Sequence, residues 1–462
     1  MSMIKRISLP HPVVLLFIII ILAAIATHMV PAGVFERVEV DGRWRVIPDS
    51  YMLVTQKPLG VFGLFLAISS GFRSAVDIIF VVISSGIMFG VLQETQMVEN
   101  SVGTFIKTVG QRRKHLIIVL MTFLFGTLGI AVGFENNIAM IPIAAIACLA
   151  LGGDLMLAAG IAVGGVTVGF GLSPINPYTV GVGHQLSGLP LYSGAGLRSA
   201  LVFLALAALA WYNVRYFKKL EAGKESLVKD IDTAGLQLEK PLSSYHMSAK
   251  TWLILLVFVA GLAGMLYGIF VFQWYIREIS AVFLMISLAA AIAGRMPANR
   301  IGASVLKAVS VVAPGAFMVG FATTIKVILE EGQIGDTIAF QLSELLQYFP
   351  TYGAALAMTG AQSIINLFIP SGSGQALATL PVMIPAGELV GLTRQVTILA
   401  FQIGDGVTNL FNPSLGGMIA MLSLCRVPFD RWLKYILPLT GIILLVSWVF
   451  LIFAVSINWG PF

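Results

Sequence analysis

Charge is scarce in this chain. Its 28 basic and 22 acidic side chains make up 11% of 462 residues, against about 25% in an ordinary soluble domain. A soluble fold of this length needs polar residues to cover its core. With 58% hydrophobic residues and a mean hydropathy of +0.92, too few are left to do so. That excludes a soluble enzyme and a disordered chain, and predicts an all-α integral membrane protein whose first partner is the lipid bilayer. Cysteine is nearly absent: Cys148 and Cys425 lie in or beside apolar segments, which excludes a disulfide scaffold. No Gly-x-x-x-x-Gly-Lys-Ser/Thr loop occurs, so nothing indicates an ATP-driven pump. Intramembrane protease motifs are missing: Asp405 follows Gln402-Ile403-Gly404, not Gly-x-Gly, and His184 has no cysteine or carboxylate at metal-ligand spacing. An enzyme is therefore not expected, and no cofactor beyond a coupling ion, sodium or proton. The net charge of +6 and pI of 9.3 read as basic loops facing the cytoplasm, not as a nucleic-acid surface.

A membrane helix needs about 20 mostly apolar residues. Candidates are 12–30, 74–93, 197–214, 251–271, 277–294, 311–329 and 435–456. The stretch 1–6, with Lys5 and Arg6, followed by the apolar run, has the outline of a signal peptide. The run lacks a small-x-small cleavage site and reads as a retained first helix. Segments 61–73 and 298–310 carry Arg or Lys and read as interfacial helices; 97–112 and 333–347 read as flat or connecting. The stretch 215–250 holds 12 of the 50 charges and divides the chain into halves.

Two regions, 115–190 and 351–426, are apolar but interrupted, and they match. Gly133-Phe134-Glu135-Asn136-Asn137 precedes Asn176-Pro177, Asn176 falling 41 positions after Glu135. Pro370-Ser371-Gly372-Ser373-Gly374 precedes Asn412-Pro413, Asn412 falling 41 positions after Ser371. Glu94-Thr95-Gln96 and Glu331-Gly332-Gln333 recur at nearly the same offset. The repeat predicts an internal duplication, each half holding a re-entrant hairpin and a broken helix, the sequence mark of a transporter site. The hairpins are 115–150 and 351–386; the breaks lie near 171–176 and 405–412. Nine crossings with the N-terminus inside place 19 of 28 basic residues, Lys107, Arg112, Arg113, Lys114 and Lys307 among them, on one face. Five crossings between the hairpin tips make the repeats inverted. The expected domains are scaffold 1–112, transport 113–196, scaffold 197–348, transport 349–426 and a C-terminal helix 427–462.

Asn is a favoured N-cap and Pro fits the first helical position. Asn176-Pro177 and Asn412-Pro413 therefore each start a half-helix whose free N–H groups and dipole attract anions. Ser173-Pro174 repeats the pattern one turn earlier, and Asn136, Asn137, Ser371 and Ser373 can cap the second hairpin arms. Glu135 and Asp405 are the acids placed in broken backbone, where a carboxylate binds a cation, a coupling proton or an amine. Ser371, Gly372, Ser373 and Gly374, with Thr408 and Asn409, supply hydroxyls and carbonyls. Ser373, Asp405 and Asn409 are the candidate sodium ligands. Asp77 and Arg198 sit nearer helix ends and read as anchors or helix pairs.

Phe368-Ile369-Pro370-Ser371-Gly372-Ser373-Gly374-Gln375, Phe401-Gln402-Ile403-Gly404-Asp405-Gly406 and Thr408-Asn409 resemble the signature of YfcC-type carriers. These belong with the DcuC-like four-carbon-dicarboxylate carriers of the ion transporter superfamily. The first half agrees through Glu135 and Ile175-Asn176-Pro177, and the resemblance covers nearly the whole chain. It departs at Phe134-Glu135-Asn136-Asn137, where relatives carry a Glu-Glu-Thr-like tip, and at Leu410-Phe411-Asn412, where Ile-Thr is common. The resemblance implies inverted repeats, a scaffold with a mobile transport domain, dimers, elevator movement, and a bacterial cytoplasmic (inner) membrane. It also implies a carrier of dicarboxylates, basic amino acids or other small carboxylates. With two acids and no Lys or Arg expected in the site, the balance favours an ion-coupled carrier of an amino acid over a dicarboxylate. A channel is the alternative from another class.

Overall fold

The computed structural model describes residues 12–460 except 41–42, 48–49, 110–112, 239, 241, 273, 275 and 347. Lys5, Arg6 and Arg112 lie outside the described residues.

Six described helices are long and apolar enough to cross a membrane: α3 (Val76–Glu94), α9 (Ala195–Glu221), α10 (Ala249–Phe272), α11 (Ile276–Ala293), α12 (Ala298–Glu331) and α18 (Phe429–Ser456). An 18-residue apolar helix, α1 (Pro12–Met29), precedes them. The expected interfacial helix 298–310 is not separate. It runs unbroken into 311–329 as the 34-residue α12, with Pro314 inside it. A helix of that length spans about 50 Å, enough to carry its polar first turns beyond an apolar layer. Shorter helices α2 (Val61–Ser74), α4 (Met97–Val109) and α13 (Gly335–Leu346) occupy the other three polar-tinged segments.

The chain is not wholly helical. Strands β1 (Gly33–Val34) and β4 (Met52–Leu53) pair antiparallel, as do β2 (Arg37–Val40) and β3 (Arg43–Val46). The local signal was present: Arg37-Val38-Glu39-Val40 and Arg43-Trp44-Arg45-Val46 alternate polar and apolar, the period of a strand. Arg37 grips Asp336 of α13 with hydrogen bonds of 2.7 and 2.8 Å, and the Phe35 amide donates to the same carboxylate. This pins the strands over one end of the bundle.

Each interrupted region is a helix pair followed by a split helix. The first has α5 (Lys114–Val132), a 3₁₀ turn Glu135–Met140 and α6 (Ile141–Ala150); α7 (Leu155–Gly171) then breaks before a π turn Pro177–Gly181 and α8 (Val182–Ser187). The second has α14 (Thr351–Phe368) and α15 (Gly372–Leu389), then α16 (Arg394–Thr408) and α17 (Gly416–Leu424). Asp405, expected in broken backbone, lies in the last turn of α16, because the chain holds helical hydrogen bonds as far as Asn409 to Asp405.

α2, α3, α11 and α12 pack together; α5, α7 and α9 pack together, and α14, α15 and α16 join them through α7 and α18, while α17 packs on α12. Between apolar helices in an apolar solvent, close backbone approach and interhelical hydrogen bonds hold the packing. α5 and α7 interlock through glycines: a Cβ on Gly169 would sit 2.0 Å from the Gly126 carbonyl oxygen, and one on Gly165 3.1 Å from that of Thr122. The split helices cross at Gly171 and Gly406, where a Cβ on Gly171 would meet the Gly406 Cα at 2.6 Å. Buried polar links add to this. Tyr435 donates to Asn213 at 2.6 Å, Asn213 to Thr122 at 3.1 Å, and the Trp432 indole to the Leu410 carbonyl at 2.8 Å. The long charged loop is tied to the helices at its surface, where Arg431 binds Asp230 and, through those hydrogen bonds, lowers the pKa of its carboxyl to about 2.

Gly169→Ala is therefore expected to destabilise the protein by about 1–3 kcal/mol. Gly441→Ala, on a helix position with nothing within 4 Å, is expected to be neutral or slightly stabilising. Thermal unfolding of the purified variants checks both; equal behaviour would refute the interlock.

Candidate functional site

The two helix breaks are built differently. At the first, Asn176 behaves as expected of an N-cap. Its Oδ1 accepts from the amides of Tyr178 at 2.8 Å and Thr179 at 3.3 Å, while its Nδ2 donates to the Phe170 carbonyl at 2.9 Å. One side chain thus satisfies both broken ends, which buried backbone requires where no water is at hand. Ser173 makes only a local turn, its Oγ accepting from Ile175 at 3.3 Å.

At the second break the expectation fails. α17 starts three residues beyond Pro413, with Leu415 as its N-cap and no side-chain cap. Asn412 instead forms a turn, accepting from the Ser414 amide at 3.0 Å, and donates to the Asn366 carbonyl at 2.6 Å. It anchors the break to α14, because the preceding helix end lies against that helix.

The helix-pair connections also differ. Ser371 caps α15, accepting from Gly374 at 3.3 Å, as expected. Asn136 and Asn137 do not cap α6. Asn137 reaches backward, donating to the Gly133 carbonyl at 2.5 Å, and so closes the end of α5. Gly133 takes φ +103°, a turn that only glycine adopts freely.

Both connections and both breaks border one cavity of about 210 Å³. Six of the expected residues line it: Glu135, Asn136, Ser371, Gly372, Ser373 and Asn409. Tyr178 from the π turn and Ser414, Gly416 and Gly417 from the second break complete that side. The opposite wall was not expected: Ser74 of α2, Ile78 of α3, and Thr323 and Lys326 of α12. Lys326 pairs with Glu330 at 3.5 Å. Its signal was legible as the one lysine within the candidate span 311–329, since an ionisable residue inside a membrane helix is a functional candidate by default. It overturns the expectation of a site without a basic residue.

The other expected residues lie elsewhere. Gly374 lines an adjoining vestibule of about 450 Å³, which shares Lys326 and Ser371 with the cavity and extends past Glu330 and Asp336 to Arg37. Asn137, Ser173, Asn176, Asp405, Thr408 and Asn412 are buried behind the cavity wall. A third cavity of about 420 Å³, lined by Glu94, Glu99, Arg300, Lys307 and Arg426, lies far along the same helices. Lys307 is 19 residues before Lys326, about 28 Å along α12.

Behind the wall runs a buried polar layer. Arg198 is fully buried and donates to Gln402 and Gln395 at 3.0 Å each and to the Ser193 carbonyl at 3.1 Å, with Trp459 4.8 Å away. Gln402 passes this on to the Ser173 carbonyl at 2.7 Å. Arg198 thus pairs α9 with α16, the helix-pairing role expected of it. Asn366 donates to the Asp405 carbonyl and to Asn409 Oδ1, both at 2.8 Å. The Asp405 carboxylate itself accepts no hydrogen bond among the described residues.

Residues 9–456 match the family described as C4-dicarboxylate anaerobic carrier, DcuC. The chain is 29% identical to Escherichia coli "Putative basic amino acid antiporter YfcC", over 97% of this chain and 96% of that protein. It is 26% identical to an uncharacterised Haemophilus influenzae protein, over 89% and 82% of the two chains. Two solved transporters align over nearly their whole length at low similarity. Neisseria gonorrhoeae MtrF shares 18% identity at a TM-score of 0.45, covering 96% of this chain and 95% of its own. Alcanivorax borkumensis YdaH shares 17% at 0.46, covering 98% and 100%. A chain matched from residue 9 to 456, with six helices fit to cross a bilayer and four backbone interruptions around one cavity, belongs to the C4-dicarboxylate anaerobic carrier (DcuC) family of membrane transport proteins.

Proposed function

We propose that the protein is an ion-coupled secondary active transporter, symporter or antiporter, of a small carboxylate-bearing metabolite, with an amino acid preferred over a dicarboxylate. One observation carries the preference: the cavity where the interruptions meet is lined by one acid, Glu135, and one base, Lys326. A zwitterion presents one charge to each. Lys326, the Ser371-capped start of α15 and the Gly416-Gly417 start of α17 suit a carboxylate, and Glu135 suits an amine. A second carboxylate would lie against Glu135 and be repelled. The name of the Escherichia coli relative, "Putative basic amino acid antiporter YfcC", supports an amino-acid substrate.

The dicarboxylate reading is favoured by the family description and by Lys326 itself. It requires Glu135 to be protonated, a burden the amino-acid reading does not carry.

The matched interruptions support inverted repeats, with α5–α8 and α14–α17 as the transport domain and α2, α3, α11 and α12 as a scaffold wall. A cavity walled by both is where relative sliding, an elevator movement, would alternate access, in a protein we place as a homodimer in a bacterial cytoplasmic membrane. The vestibule shared through Lys326 and Ser371 opens the site toward the strand-covered end, which is outside when the basic loops and N-terminus face the cytoplasm. The coupling ion is sodium or a proton.

Proteoliposome uptake tests this, with labelled arginine, lysine and succinate under sodium, proton and counter-substrate gradients. Gradient-driven uptake or exchange of an amino acid is the expected result. Succinate transport with no amino-acid transport would replace the substrate, and single-channel currents would replace the mechanism. Glu135→Gln is expected to weaken amino-acid uptake, read as kcat/KM, by about 30-fold or more, the cost of an unpaired charge near 2 kcal/mol. Lys326→Gln should weaken uptake of any carboxylate substrate similarly, whereas Lys326→Arg should retain most of it; unchanged uptake in both neutral variants would refute the charge assignment.

A further inference from the structure

Asp405 is fully buried, and neither carboxylate oxygen has a hydrogen-bond partner among the described residues. Among the other buried oxygens in that condition are Thr179 Oγ1, Asn366 Oδ1 and Gln375 Oε1. All four residues sit where α14, α15, α16 and the π turn converge. A Cβ built on Gly372 would lie 2.6 Å from Thr179 Cγ2 and 3.5 Å from Asp405 Oδ2, so these two side chains flank the start of α15. Gln375 follows one turn later, its amide bonded to the Ser371 carbonyl.

The donors of this cluster are committed elsewhere. The Asn366 NH₂ bonds the Asp405 carbonyl and Asn409 Oδ1, and the Gln375 NH₂ bonds the carbonyl and Oε1 of Gln362. An amide has two N–H donors, so both are exhausted. Among the side chains of this cluster, only the Thr179 hydroxyl has a hydrogen to offer a carboxylate with two empty oxygens. Arg198 donates to Gln402 and Gln395 and not to Asp405. A buried carboxylate with neutral oxygens around it and no counter-charge among the described residues is costly unless it takes up a proton or a cation. One negative charge among oxygen ligands matches a hard monovalent cation.

We propose that Asp405, Thr179, Asn366 and Gln375 form a dehydrated sodium site directly behind Gly372, separate from the substrate cavity. None of the four lines that cavity, whereas Ser373 and Asn409 do. The ion therefore sits one layer deeper than the trio Ser373, Asp405 and Asn409 indicates. Asn366 links the layers, because its amide holds Asn409 at the cavity wall. Filling the rear site would fix that asparagine, and with it α14 against α16, before substrate binds in front. The coupling role rests on the transport reading above; the ion site itself does not.

The test follows thermal unfolding of the purified full-length protein by tryptophan fluorescence, without substrate, as sodium chloride replaces choline chloride at constant ionic strength. A saturable rise in Tm of roughly 2 °C or more is expected, kept in Ser373→Ala and lost in Asp405→Asn and in Thr179→Val. Should Asp405→Asn not fold, Thr179→Val and a potassium chloride titration of the unaltered protein, expected to give no rise, keep the assignment open to refutation. Identical Tm in sodium, potassium and choline would overturn it, as would a sodium shift kept in Thr179→Val and lost in Ser373→Ala. Loss of the shift with intact proton-driven uptake would sink this site and leave the transporter standing. A sodium shift without uptake of any tested substrate would do the reverse.

Discussion

Everything in this structure follows from the need to satisfy broken backbone without water. An interrupted helix exposes N–H and C=O groups that cost several kcal/mol each in an apolar medium. Asn176 meets that demand alone, capping the new turn and holding the Phe170 carbonyl of the old helix. At the second break the work is divided among Asn412, Ser414 and Asn366, which lash the bend to α14. The amide side chains that make the interruptions affordable are the same ones that make the region polar enough to receive a charged solute.

Close packing then sets where the interruptions meet. Gly171 and Gly406 bring the two split helices into backbone contact, so breaks that are more than 230 residues apart in sequence open onto one space. Phe134 and Glu135 reach the same place because Gly417 leaves room for them: a Cβ there would be 3.0 Å from the Phe134 ring. The remaining wall comes from α2, α3 and α12, and the unbroken length of α12 carries Lys326 to the cavity and Lys307 to a distant one.

Much of this was legible in the residues. Asn-Pro pairs, Gly133 and the Ser371 cap are short-range chemistry, and they mark turns and helix starts wherever they stand. Asn412 misled because an asparagine can serve a turn as well as a cap, and only the neighbour it meets decides; here that neighbour is the Asn366 carbonyl. The alternation of Arg37–Val40 and Arg43–Val46 carries a local strand signal within a chain whose composition speaks for helices. Arg198 reads correctly as a helix-pairing residue, but its partners Gln395 and Gln402 lie about 200 positions away.

The sequence by itself determined that the chain lives in a bilayer and where its backbone breaks, since composition and local capping depend on no distant contact. Only the tertiary structure decided that Lys326 faces the site, that Glu135 shares a cavity with it, and that Asp405 lies a layer behind Gly372. Those placements depend on which glycines let helices touch and how far α12 runs unbroken, and both are properties of the packed whole.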